Sequence, residues 1–305
     1  MTDMIEPEPV TDEGPAGIGP VVVGVDGGAS SDDALVLARW GAETLGVPLV
    51  VAVVHPEPAP IGGGRVDAEW VADRRQAAHD ILDRARGRVA GAPIPVDFRV
   101  VASSSASHGL HDVAHDLRAS AIVVGSGRGG PAYRLFAGST ADRLLTGSVC
   151  PVAVAPAGMP APPGSLGRIG VAYVDSPDGD AALGPAFRLA RLTGSPVRLY
   201  TVVAEEGAVL PPLIGQDAER AFLSTAREAY EQALAKAAGS VTGIAADWEI
   251  RVGDVVESLA DLDDVDVLFC GSRGYGPARR VLLGGVSTRL VRRARRPVVV
   301  VPRSG

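Results

Sequence analysis

The sequence predicts two tandem α/β domains, each built on a parallel β-sheet with helices on both faces. Three observations predict it. The chain repeats itself: without a gap, residues 125–156 match residues 271–302 at 13 of 32 positions, at a constant offset of 146 residues. A repeat of that length is a whole domain, not a solenoid unit of ~20–50 residues. Short apolar runs alternate with helical patterns through both halves, the signature of β-α-β units. Finally, apolar residues make up 46% of the chain but aromatics only 4%. Cores must then come from Val, Leu, Ile and Ala, as in parallel sheets covered on both sides.

In chain order, residues 1–19 are acidic and rich in Pro and Gly, and are expected to be disordered. Strands of the first half fall at 21–25, 49–54, 96–101, 121–124 and 152–155. Helices are expected between them, near 31–45, 67–90, 107–118 and 139–148. The second of these carries Trp70, Val71, Ile81, Leu82 and Val89 on an amphipathic pattern. It follows a Gly- and Pro-rich loop at 56–64 that is long enough to serve as a lid. Residues 157–167 read as an extended linker. Strands of the second half fall at 169–174, 197–203, 247–252, 265–270 and 298–301, with helices near 179–193, 217–238, 254–262 and 286–295. The domains are thus 20–156 and 168–305. Right-handed crossovers place helices on both faces. Ligands of such sheets bind beyond the carboxyl ends of the strands, where strand order reverses.

Bulk properties exclude several classes. A net charge of −7 and a pI near 5.3 argue against bulk affinity for nucleic acid or an anionic membrane. Two cysteines cannot frame a disulfide scaffold, and a reducing compartment fits. No signal-peptide pattern opens the chain, and no apolar run reaches the ~18 residues of a membrane span. A cytoplasmic protein is expected.

The residues that carry chemistry follow strands. The strand at 265–270 runs into Gly271-Ser272-Arg273-Gly274, and Gly284-Gly285-Val286-Ser287 then opens a helix. Glycines there let backbone N–H groups approach phosphate oxygens without a Cβ in the way. The helix N-terminus adds free N–H groups and a positive dipole end. The first half repeats the pattern after its fourth strand. First strands end on carboxylates: Asp26 before Gly27-Gly28, and Asp175 before Ser176-Pro177-Asp178. Two roles are open to them, binding a ribose or metal ion, or capping the next turn or helix.

Gly-Val-Asp-Gly at the first strand, Gly-x2-Gly-x9-Gly-[Ser/Thr] after the fourth and Cys-Pro-Val at the fifth together resemble the universal stress protein family, over nearly the whole chain. The resemblance implies five parallel strands per half in the order 3-2-1-4-5, halves packed as a pseudo-dimer through their fifth strands, and an adenine-nucleotide site taking ATP with Mg. Carried over by position, the strand-end aspartates are Asp26 and Asp175. The residues beside the adenine are Val53 and Val203. The first phosphate loop is Gly125, Ser126, Gly138, Ser139 and Thr140. The second is Gly271, Gly274, Gly284, Gly285, Val286 and Ser287. Each copy departs from the pattern. Arg128 stands at a glycine position of the first loop, where it blocks backbone approach or itself clamps a phosphate. Gly285 replaces a Ser or Thr in the second, which removes a hydroxyl bond worth ~1 kcal/mol. The second half also has one residue fewer after Asp175.

Other clusters read as structural. His108, His111 and His115 share one arc of a helix opposite Leu110, Val113, Ala114 and Leu117, a solvated polar face. Cys150 and Cys270 border apolar strands as buried thiols. Arg289, Arg292, Arg293, Arg295 and Arg296 give the last helix a basic, solvent- or partner-facing surface. The expected function is a nucleotide-dependent regulator or interaction module with a protein partner, in a chain able to form a homodimer. No catalytic residue and no resident protein-bound metal is assigned, and ATP hydrolysis is at most weak. The alternatives are a scaffold of the same family without nucleotide binding, and a slow ATPase or other nucleotide-dependent enzyme on the same fold.

Overall fold

The structure, a computed structural model, describes residues 18–57, 68–127, 140–159, 165–203, 216–272 and 285–303. In the first half the elements are β1 (Val21–Gly24), α1 (Ala29–Leu45), β2 (Leu49–Pro56), α2 (Ala68–Val89), β3 (Val96–Ser103), α3 (Ala106–Asp116), β4 (Ala121–Gly125), α4 (Thr140–Gly147) and β5 (Val152–Ala155). In the second they are β6 (Ile169–Ala172), α5 (Pro177–Thr193), β7 (Val197–Val203), α6 (Gln216–Gly239), β8 (Ala246–Val252), α7 (Val255–Ala260), β9 (Val267–Gly271), α8 (Val286–Arg293) and β10 (Val298–Val301).

The strands are short runs of Val and Ala buried on both faces, as in β1, β5 and β10. Helices stop where the chain turns left-handed: α1 and α5 both end on glycine, Gly46 at φ 66° and Gly194 at φ 70°. Ser105, Ser176 and Asp254 cap α3, α5 and α7 through their side-chain oxygens.

All ten strands join one sheet in the order β3-β2-β1-β4-β5-β10-β9-β6-β7-β8. Each half therefore has the order 3-2-1-4-5, and pairing within a half is parallel. The halves meet through an antiparallel β5–β10 seam, with Val298 opposite Val154, Val299 opposite Ala153 and Val300 opposite Val152. Ala153 and Val299 are equivalent in the repeat, so a pseudo-two-fold axis passes through that pair. One apolar core runs unbroken beneath the seam, including Leu110, Leu144, Leu259 and Leu290 from α3, α4, α7 and α8. On the other face each half has its own core, and Trp40 and Val299 pack against both.

Most elements fall within about two residues of the sequence expectation, and several of their ends differ from it. β2 and β3 run on to Pro56 and Ser103 because they pair along their whole length. β9 begins at Val267, where its parallel pairing with β6 starts opposite Ile169, two residues later than expected. The predicted tail, the loop at 56–64 and the linker lie partly outside the described residues, as do the side chains of Trp70 and Val71.

The second half has a polar cluster at the amino ends of its strands. The buried Tyr200 hydroxyl donates to Asp264, 2.8 Å from each carboxylate oxygen. Arg168 and Arg198 bond the same carboxylate at 3.1 and 3.2 Å. Arg198 also grips Asp247 through Nε and Nη2 at 2.7 and 2.6 Å. Burial works against the Asp264 charge, yet Tyr200, Arg168 and Arg198 hold its carboxyl below the usual value. The hydrogen bond from Arg198 does the same for Asp247.

Candidate functional site

β1 is the switch point of the first half: the chain leaves it toward β2 and β3, then returns to β4 on the other side. Beyond its end, Val25 extends the ladder by one bond to Ala52 O, and Asp26 emerges into solvent. Its Oδ1 accepts the Gly28 N–H at 2.8 Å, closing an Asx turn over Gly27 (φ 77°). Asp26 does not cap α1. That position is Gly28, which has no side chain to offer.

The second half is built differently. Ser176 caps α5, accepting the Gly179 N–H at 3.1 Å, and Pro177 opens the helix. The shorter turn draws α5 close: a Cβ on Gly179 would lie 2.0 Å from Val174 O. Asp175 is exposed and makes no hydrogen bond among the described residues. Of the two roles open to these carboxylates, Asp26 takes that of capping the next turn, while Asp175 caps neither turn nor helix among the described residues.

The first glycine of each loop has a packing duty. A Cβ on Gly125 would sit 2.1 Å from Ser30 Oγ, and one on Gly271 would sit 2.4 Å from Asp178 O. Only glycine lets the first turn of α1 or α5 lie against the end of β4 or β9. The Ser126 N–H donates to Ala155 O at 2.9 Å, and the Ser272 N–H to Val301 O at 3.0 Å. Both are consumed by the sheet. The Gly127 N–H donates to Ser30 Oγ at 3.1 Å, which ties the β4 loop to the β1 turn.

In the second half Asp178 stands where Ser30 stands in the first. It is buried, and the Ser272 hydroxyl lies 3.5 Å from its Oδ1. Ser287 Oγ is 3.4 Å from Ser272 O, holding the start of α8 against the end of β9. Gly285 occupies the N-cap of α8 with no side-chain cap bond, and among the described residues nothing fills the space a Cβ there would take. The first turn of α8, from Val286 on, carries the positive end of the helix dipole. Thr140 opens α4 in the equivalent place, half-buried.

Val53 is buried in the core beneath α1 and α2, and Val203 is half-buried at the end of β7. Arg128, Gly138, Ser139, Gly274 and Gly284 lie outside the described residues. Sequence reasoning missed Ser30 and Asp178. The signal was available: a glycine ending a central strand needs a partner pressed against it, and the first turn of the following helix supplies one.

The remaining clusters resolve into local pairs. His108 Nε2 lies 3.5 Å from Asp112, and His115 Nδ1 lies 3.4 Å from Asp116. Among the described residues, no group of three His, Cys, Asp or Glu side chains comes together as a metal site. Both thiols are buried; burial pushes Cys150 up to about 11 and Cys270 up to about 12. Three arginines in and just after α8 find carboxylates: Arg292 pairs with Asp142, Arg293 with Glu257 at 2.7 Å and Arg295 with Asp261 at 3.7 Å, the last two at the exposed surface. Among the described residues, no helix is long and apolar enough to cross a membrane.

Comparison with known proteins agrees with this architecture. The profile of the universal stress protein family matches twice, at residues 17–156 and 166–302. A universal stress protein of Mycobacterium tuberculosis is 31% identical over 299 residues, covering 92% of this chain and 99% of its own length. Another from the same organism is 29% identical over 308 residues, covering 93% and 97%. The crystal structure of a universal stress protein from Archaeoglobus fulgidus superposes with a TM-score of 0.67 at 22% identity, covering 94% and 97%; at that identity it speaks for the fold. Two family matches in tandem, on two like sheets joined edge to edge, place this chain in the universal stress protein family.

Proposed function

We propose that the chain binds ATP together with Mg²⁺ and works as a nucleotide-dependent regulator or interaction module in the stress response, in the cytoplasm. The observation that carries this reading is the shared layout of the two halves: in each, the first strand leads into an exposed carboxylate, Asp26 or Asp175, beside a neighbouring strand that ends on a closely packed glycine, Gly125 or Gly271. The residues present fit the ligand. The ribose hydroxyls have Asp26 or Asp175 as acceptors. The Asp26 turn is pre-formed by Gly28, and its Oδ2 is left for a hydroxyl or a hydrated Mg²⁺. The phosphates have the helix start at Gly285, Val286 and Ser287 in the second half. In the first they have the loop of Gly125, Ser126, Arg128, Gly138, Ser139 and Thr140. Gly271, Gly274 and Gly284 complete the second loop. Val53 and Val203 belong to the strands that would flank the adenine. Gly125 and Gly271 support the site by letting the helix approach; their own Cβ side is filled. Among the described residues, no side chain at either strand end is held in the manner of a general base, and binding rather than turnover is the activity proposed.

A second reading, a scaffold that has lost nucleotide binding, draws on Asp178. Its carboxylate sits beside the second loop where the first half has a hydroxyl, and it repels phosphate unless a cation intervenes.

The test is equilibrium dialysis of ATP with Mg²⁺ against the wild type and the Asp26→Ala, Asp175→Ala and double variants. Both aspartates are exposed, so folding should be unaffected. Losing a charged hydrogen bond to the ribose should weaken binding at that half about tenfold. Unchanged binding in the double variant would refute the assigned site. ADP formation measured in the same samples would expose any ATPase.

A further inference from the structure

We propose that the Asp142–Arg292 ion pair makes the β5–β10 seam selective for unlike halves, so that the first half accepts the second half of this chain and rejects the first half of another copy.

A seam of this kind carries an inherent ambiguity. It is antiparallel and centred on Ala153 and Val299, which are repeat equivalents. Its geometry is therefore that of an isologous dimer, in which the same patch faces itself. The apolar contacts do not distinguish the halves. β5 brings Val152, Ala153 and Val154; β10 brings Val298, Val299 and Val300. Beneath them Leu144 of α4 and Leu290 of α8, again repeat equivalents, are both buried in the shared core. An exposed strand edge is a template for any matching edge. By these contacts alone, β5 of one copy would pair with β5 of another.

Asp142 and Arg292 break the symmetry. The repeat equivalent of Asp142 is Thr288, and that of Arg292 is Thr146. The ion pair therefore occurs once, and its pseudo-two-fold image is a pair of threonines, Thr146 and Thr288. The pair joins the first turn of α4 to the last turn of α8 across the seam. The Asp142 side chain is only 12% exposed and that of Arg292 29%. In a seam between two first halves, each Asp142 would meet Thr146 of the other copy. In a seam between two second halves, each Arg292 would meet Thr288. Either arrangement buries two charges without the partner they have here, and a shielded charge deprived of its partner is strongly unfavourable. Of the three pairings, the unlike one gives each charge the opposite charge it meets here.

The experiment uses full-length chains. Asp142→Arg sets two guanidinium groups against each other across the seam; Arg292→Asp sets two carboxylates. Each variant should fail to close on itself and should shift toward larger species in light scattering after size exclusion. The two mixed and refolded together should form a one-to-one complex in which halves are exchanged. Asp142→Arg combined with Arg292→Asp in one chain should return to the wild-type profile. Single variants that elute as the wild type and do not combine would overturn the proposal. If a reversal prevents folding, the decision passes to Asp142→Thr, Arg292→Thr and their combination, which copy the residues at the image position. The proposal requires non-additive effects on the unfolding equilibrium, with a coupling of at least about fivefold. Additive effects would overturn it.

Discussion

Gly125 illustrates how a residue can serve a site without touching a ligand. Its missing side chain lets Ser30 press against the end of β4 and hold the Gly127 N–H at 3.1 Å. Gly125→Ala places a methyl carbon 2.1 Å from Ser30 Oγ and 2.2 Å from Ser30 O, so backbone must move. The expected cost is about 1–3 kcal/mol of stability, read from urea denaturation. A variant as stable as the wild type would mean that α1 does not pack as described. The thiols give a second residue-scale check. With burial holding Cys150 at about 11 and Cys270 at about 12, almost no thiolate exists at neutral pH. A disulfide reagent at pH ~8 should leave the native protein unmodified and label both cysteines only in denaturant. Rapid labelling of the native chain would contradict the burial.

The polar cluster at the amino ends of β6 and β7 governs how the second half responds to acid. Burial raises the Asp264 pKa, but Tyr200, Arg168 and Arg198 outweigh it and the net direction is down. A carboxylate with a lowered native pKa contributes stability above its unfolded pKa of about 4, and loses it as pH falls through the native value. Asp264→Asn should therefore lower stability at pH ~7, and the gap from the wild type should shrink toward pH ~2. Urea unfolding across that range tests it; a gap independent of pH would refute the linkage. Elements of this kind mark where sequence reading stops. The strands and helices were legible because valine runs and helical periods alternate, and their order followed from a resemblance carried by glycines and aspartates. The Asp264 cluster was not legible, because it joins the ends of β6, β7 and β8 with the turn before β9, residues that meet only after the sheet forms. Ser30 and Asp178 escaped for the same reason, being defined by what a strand-end glycine lets approach. The arginines in and just after α8 read as one basic face, yet three of them find carboxylates on α4 and in and just after α7.

At the scale of the whole molecule, the two halves form one sheet and share one core, so they are expected to unfold together. Trp40 packs against the separate cores on the other face and ties them across the seam. Trp40→Ala should cost about 2–4 kcal/mol and loosen that cooperativity, visible as a broadened or split calorimetric transition. A sharp transition at an unchanged temperature would contradict the bridging role.

The same arrangement sets two unlike strand ends on one sheet. The first has a pre-formed aspartate turn and the Ser30 hydroxyl beside Gly127; the second has a glycine N-cap on α8 and the buried Asp178. In the function proposed, these strand ends present nucleotide. Calorimetric titration of the wild-type protein with ATP and Mg²⁺ should then show saturable binding: two equivalents if both halves serve, one if the differences between them divide the labour. Heats no larger than dilution, with no bound nucleotide recovered, would contradict it.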